Sequence, residues 1–217
     1  MKFFNIIILA LLFSVNINAQ DSNSKKAKTI LDKVSAKTKT FTTIQAIFSF
    51  EMENQQENIS EKTAGKIWIK NEKYKLELMG TVTYCDGKIS WMHLPDDEEV
   101  NISAVDNDSD NSMNPAKIFT MYETGFKYKY INEVFEDTRA LHVIDLIPLD
   151  YDGEFSRITL KIDKSNNTVY SMKRFGNDGN IYTVKIKKME TNKPLNDSMF
   201  KFDKTKFPGV EIIDTRE

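Results

Sequence analysis

FSFEMENQQENISEKTAGKIWIKNEKYKLELMGTVTYCDGKISW, residues Phe48–Trp91, is the stretch that decides the fold. Phe48, Phe50 and Met52 alternate with Ser49, Glu51 and Glu53. Tyr74, Leu76 and Leu78 do the same against Lys73, Lys75 and Glu77. Period-two alternation among aromatic and aliphatic residues makes strands with one apolar and one wet face. Between these stripes Gly65–Lys70 is apolar on both sides at Ile67-Trp68-Ile69, and Asp86-Gly87-Lys88 supplies a turn before Ile89-Ser90-Trp91. The stretch reads as a curved antiparallel meander with one broad apolar face.

Working outward, strands are expected at 41–55, 62–70, 73–79, 81–85, 88–94 and 98–104. Their short connections favour antiparallel neighbours. Beyond residue 125, Phe126, Tyr128 and Tyr130 alternate with lysines, Leu141–Ile147 runs to a breaker at Pro148, and Phe155–Asp163 alternates again. Val169–Phe175 and Ile181–Lys187 flank Asn177-Asp178-Gly179-Asn180, a hairpin signal. The chain closes with Met199–Phe202 and Gly209–Ile213 as further strand-like runs. That makes ten or eleven strands in one domain spanning 20–217.

Helical signals are fewer. Ser24 caps a segment to residue 38 in which Ala27, Ile30, Leu31 and Val34 share one face, with a lysine-rich face opposite. That lysine face reads as solvated, with weak attraction to anionic membranes as the sharper alternative. Asn114-Pro115 opens a second helix carrying Ile118, Phe119, Met121 and Tyr122 before Gly125. Its position suits a lid, or equally a helix packed on the sheet.

Composition excludes several classes. Basic and acidic side chains balance at 30 and 32, which is no field for engaging nucleic-acid phosphates. Met1-Lys2 followed by an apolar run ending at Ile17-Asn18-Ala19 reads as a cleaved secretory signal over residues 1–19. The expectation is an exported soluble protein. No cysteine follows that run, so no lipid anchor is expected on the chain itself. Cys85 is the single cysteine and reads as a half-buried strand residue.

No motif carries chemistry. There is no nucleophile elbow, phosphate loop or dinucleotide fingerprint, and His93 and His142 sit in strand-like segments without a third partner. Asp106, Asp108 and Asp110 mimic the opening of a calcium loop, but Asn111 and Lys117 stand where its glycine and closing glutamate belong. A solvated loop is expected there. The reading is therefore of a non-enzyme with no catalytic residues, metal or cofactor. What remains is apolar surface too wide for the helices to cover. Either the sheet closes as a barrel or it stays partly open around a concavity suited to an acyl chain.

A set of residues in order sharpens this: Ile44-x-Ala46-x-Phe48, Gly65-x-x-Trp68-Ile69-Lys70, Tyr74, Asp86-Gly87-Lys88-x-x-Trp91, and Asn114-Pro115 opening a helix. Asp197-x-x-Phe200-x-Phe202 and Gly209-Val210-x-Ile212 complete it. Together they resemble the LolA family of periplasmic outer-membrane lipoprotein carriers over nearly the whole mature chain. The resemblance implies an α+β, mostly β fold, an open antiparallel half-barrel whose concave apolar face is closed by two or three helices. It implies a monomer that takes acylated lipoproteins from an ATP-driven inner-membrane transporter to the outer membrane, with an outer-membrane receptor as a further partner. The expected lipid-binding residues are Phe48, Phe50, Met52, Trp68, Tyr74, Leu76, Leu78 and Trp91 on the sheet, and Ile118, Phe119, Met121 and Tyr122 on the lid. The alternative is a periplasmic regulator of envelope stress with a related half-barrel that senses lipoproteins. One departure matters. Where the family often has an arginine latching the lid, this chain has Asn71, which predicts a looser lid or a latch supplied elsewhere.

Overall fold

The structure, a computed structural model, describes residues 17–105, 119–150 and 153–216. Twelve strands form one sheet. The first half is a meander: β1 (Ile44–Asn54), β2 (Ile59–Lys70), β3 (Lys73–Leu78), β4 (Thr81–Cys85), β5 (Ile89–Leu94) and β6 (Glu99–Ala104). The second half is another: β7 (Phe126–Glu136), β8 (Arg139–Pro148), β9 (Phe155–Asp163), β10 (Thr168–Gly176) and β11 (Ile181–Thr191). Antiparallel pairing of β1 with β11 joins the two, with a register shift at Ile47/Phe48.

Strand β12 (Glu211–Asp214) adds to β6 in parallel, so the order runs β12-β6-β5-β4-β3-β2-β1-β11-β10-β9-β8-β7. The end strands β12 and β7 do not pair, and the sheet is open rather than a closed barrel. The twelve strands exceed the expected ten or eleven. The parallel β12 also departs from a wholly antiparallel sheet, because the C-terminal segment passes over β3–β5 before β12 pairs with β6.

Among the described residues there is one α-helix, α1 (Ile17–Thr38), not two or three. The expected second helix is corrected: Met121–Glu123 is a single 3-10 turn, and residues 114–118, Ile118 included, lie outside the described residues. So does the calcium-like run at 106–111. Among the described residues no group of three or more His, Cys, Asp and Glu side chains is arranged to hold a metal. Met199–Phe202 is also not a strand. Asp197–Phe200 forms a 3-10 turn capped by the Asn196 side chain.

Strand alternation sends two sets of side chains to opposite sides of the sheet. Following the pairings, Ala46 faces Ile67 and Leu76, while Phe50 faces Val184 and then Met172, Leu160, Ile144 and Tyr130. One face is therefore apolar from β3 round to β7. Helix α1 lays Ala27, Ile30, Leu31 and Val34 onto its β7–β10 half, burying them against Ile144, Leu146, Ile158, Leu160 and Ile162. The opposite side of β4–β6 has its own cover, in which Phe202, Phe207 and Val210 pack on Trp91, Val100 and Ile102. Asp197 ties that segment down by accepting from Lys70 and Lys73, both at 2.7 Å, which holds its carboxyl down to about 2.

Candidate functional site

The half of the apolar face that α1 does not cover is the candidate site. Its floor is Ile44, Ala46 and Phe48 on β1, Ile67 and Ile69 on β2, Tyr74 on β3 and Cys85 on β4. Phe50, Leu76, Leu78, Val184 and Ile186 pack at its margin and stay half-buried. The Phe48 ring lies over Gly65, where an added Cβ would sit 2.3 Å from the ring edge. That glycine is what lets the aromatic lie flat on its neighbouring strand.

Phe119 supplies the roof. It is 6% exposed and packs into the β1–β4 cluster. Beneath it lies a void of about 20 Å³ lined by Val169, Ser171, Met172, Val184 and Ile186. That is room for one water.

The stretch behind Phe119 is tied down at its other end. Glu123 accepts from the Ser35 hydroxyl at 2.6 Å and from the Lys39 ammonium at 3.2 Å, both donated from α1 or its C-terminal end. Tyr128 donates its hydroxyl to the carbonyls of Tyr122 and Glu123, at 2.9 and 3.2 Å. The Ser35 hydrogen bond, with Lys39, lowers the Glu123 carboxyl below its ordinary value against a smaller cost of burial. Asn71, by contrast, occupies the left-handed turn position between β2 and β3 (φ 55°), a conformation asparagine tolerates well. The described side-chain contacts that hold this stretch to α1 and the residue after it are made by Glu123, not by Asn71. Polar side chains around it line an open cleft of about 250 Å³ between α1 and β7.

Of the expected lining residues, Phe48, Phe50, Met52, Tyr74, Leu76 and Leu78 share the apolar face, and Phe119 covers it. Tyr122 is buried instead in the α1 cluster, with Met121 packed beside it. Two assignments are corrected. Trp68 pairs with Lys75, and Trp91 with Tyr84 and Ile102, which places both tryptophans on the opposite side. Trp68 there lies under the Lys75 ammonium, 5.2 Å from its ring centre. Trp91 is apolar, but the C-terminal segment is its partner, a long-range contact that local alternation does not encode. The reading of the sequence missed Met172, Val184 and Ile186. The alternation of Tyr182, Val184 and Ile186 in β11 was the available signal.

Cys85 and the two histidines sit in packed surroundings. Cys85 is fully buried, and burial raises its thiol above its ordinary value. His93 is buried against Phe202 and Phe207, with ring centres 5.3 and 4.4 Å away, and burial lowers its pKa. His142 stands beside Tyr130 with its Nδ1 3.4 Å from Glu133. The two histidines lie on different halves of the sheet.

Among the described residues the site is an open sheet with one apolar face, covered over β1–β4 chiefly by Phe119. The family model for the outer membrane lipoprotein carrier protein LolA matches residues 39–203. The chain belongs to the LolA family, which supports a lipoprotein- or lipid-binding protein. A search of curated protein sequences finds no significant match.

Among solved structures, an uncharacterized conserved protein from Thermus thermophilus shares the fold. Its TM-score is 0.57 at 14% identity, with 87% of this chain and 99% of that one covered. A LolA superfamily protein from Nitrosomonas europaea aligns at TM-score 0.43 and 12% identity over 81% and 97%. The Mycobacterium tuberculosis lipoprotein LppX aligns at 0.48 and 14% over 78% and 98%.

Proposed function

We propose that this protein is a periplasmic carrier that shields the acyl chains of lipoproteins on its apolar face and moves them from the inner to the outer membrane. The observation that carries the reading is that the described residues roof one continuous apolar face unequally. Helix α1 covers the β7–β10 half, while Phe119 covers the β1–β4 half and leaves Phe50, Leu76 and Leu78 half-exposed. Shielding, not catalysis, is the work such a surface does.

Export rests on the secretory signal expected at residues 1–19. No helix of the described residues is long and apolar enough to cross a membrane. The carrier works as a monomer. An ATP-driven inner-membrane transporter loads it, and an outer-membrane acceptor receives the cargo.

The energetics fit reversible carriage. Each buried CH₂ contributes about 0.8 kcal/mol, so a fully shielded acyl chain would hold too tightly to leave. A protein side chain competing for the same floor lowers the net affinity, and the return of Phe119 assists unloading.

The test is soluble release. Membrane vesicles holding a diacyl or triacyl lipoprotein are incubated with the exported protein, its inner-membrane transporter and ATP. A one-to-one complex in the supernatant is expected, lost on Phe50→Glu and retained when His93 and His142 are both replaced. Absence of any complex, with no displaceable acyl probe, would overturn the carrier reading.

A further inference from the structure

Arg174 is the one charged residue in the row of side chains that crosses the apolar face from β7 to β1: Tyr128, Leu146, Ile158, Arg174, Tyr182 and Met52. Its side chain is only 11% exposed. The guanidinium carbon lies 4.8 Å from the ring centre of Phe155 and 5.9 Å from that of Tyr182, so two aromatics fix its position. Among the described residues its ion-pair partner is Glu154, with Nη2 donating to Oε2 at 2.8 Å, and that carboxylate is itself 61% exposed. Its Nε–H is buried and meets no acceptor among the described residues.

Three cations on the other side of the sheet are treated differently, although Arg157 there also has a buried Nε without an acceptor among the described residues. Lys185 donates to Glu136 at 2.7 Å and pairs with Asp137 at 2.9 Å, Lys161 pairs with Glu136, and Arg139 donates to the buried Asp163 at 2.6 Å. Lys161 and Lys185 share one carboxylate cluster, and Arg139 with Asp163 makes a separate pair. Arg174 has five donors, an unused one buried, and a partner that water can take back.

We propose that Arg174 is a headgroup site, which binds the carboxylate or phosphate of an anionic lipid whose acyl chain lies on the apolar face. This rests on the acyl-binding reading above and narrows it to amphiphiles with an anionic head. Met172 and Val184, one row inward from Arg174 and Tyr182, floor the void under Phe119. A chain in the place of Phe119 runs over them, and its polar end emerges at Arg174. There the guanidinium offers a planar fork that matches carboxylate and phosphate oxygens, while Glu154 turns out to solvent.

The test uses the purified exported protein and displacement of the uncharged fluorophore N-phenyl-1-naphthylamine. Competitors are matched in chain: palmitate against hexadecanol, and dioleoyl phosphatidate against dioleoylglycerol, each below its aggregation concentration. Anionic members are expected to compete about tenfold better than their uncharged partners. Arg174→Gln should remove that preference and leave the uncharged competitors unchanged, and Arg174→Lys should restore part of it. Phosphatidate gaining more than palmitate identifies phosphate as the preferred head, and the reverse identifies carboxylate. Equal competition by charged and uncharged lipids against the unaltered protein overturns the headgroup site and leaves acyl binding standing. No displacement by any lipid overturns acyl binding itself, and the site with it.

Discussion

The two halves of the apolar face differ in what covers them. Over β7–β10, α1 buries Ile30, Leu31 and Val34, and at about 1.5–3 kcal/mol each these side chains contribute roughly 5–9 kcal/mol as an upper bound. Over β1–β4, the cover given by the described residues is chiefly Phe119, worth about 1.5–3 kcal/mol on the same scale. An acyl chain of sixteen carbons gains on the order of 12 kcal/mol when fully buried. Displacing α1 would consume most of that gain, and displacing Phe119 only a fraction. The same chemistry therefore makes the α1-covered half a core, and makes the β1–β4 half the cheaper one to open for the proposed acyl binding.

Substitutions sharpen this contrast, starting with the largest effect. Leu160→Ala, under α1, is expected to cost about 2–5 kcal/mol of stability in chemical denaturation, because the packed site cannot collapse around the cavity. Gly65→Ala drives a methyl into the Phe48 ring, for a cost of about 1–3 kcal/mol together with weakened acyl-probe binding as the floor is disrupted. Phe119→Ala should cost less than Leu160→Ala, about 1–2 kcal/mol, and should tighten probe binding because a competitor is gone. If Phe119→Ala destabilised as much as Leu160→Ala and left binding unchanged, the two halves would not differ in kind.

The smallest effect is at Glu123. Glu123→Gln is expected to lose about 1 kcal/mol in thermal or chemical melts and to speed probe uptake, since an amide replaces a charge-assisted acceptor. Its pH dependence has a definite sign. The folded-state pKa of Glu123 lies below its ordinary 4.5, so the stabilisation is complete above about pH 4.5. It is lost as pH falls through the folded value, when the carboxyl takes up its proton. Stopped-flow uptake should accelerate in that acid range for the unaltered chain, and Glu123→Gln should lack this component.

Much of this was legible in the sequence because alternation is local. Phe48, Phe50, Tyr74, Leu76 and Leu78 fell on one face by parity alone, and Ala27, Ile30, Leu31 and Val34 marked the packed side of α1. The tryptophans were not placed by the same rule. Trp68 sits between Ile67 and Ile69, where both sides are apolar and parity carries no sign. Trp91 belongs to the face that Phe202 and Phe207 cover, a long-range pairing. The short turn at Met121–Glu123 carries the apolar spacing expected of a helix, but Gly125 and the start of β7 follow at once. Glu123 and Arg174 gave no signal as single charged residues in amphipathic segments. Their meaning comes from Ser35 and Lys39 in one case, and from Phe155 and Tyr182 in the other.

The most direct measurement of the central claim is to map where an acyl chain lies. A sixteen-carbon fatty acid carrying a mid-chain diazirine would be bound, photolysed and located by peptide mass spectrometry. Labels on β1, β3 and β11, around Phe48, Phe50, Leu76, Val184 and Ile186, with α1 still protected from hydrogen exchange, are the predicted result. Labels concentrated on Ile144, Ile158 and Leu160, with α1 exposed to exchange, would contradict it and make the helix the moving cover.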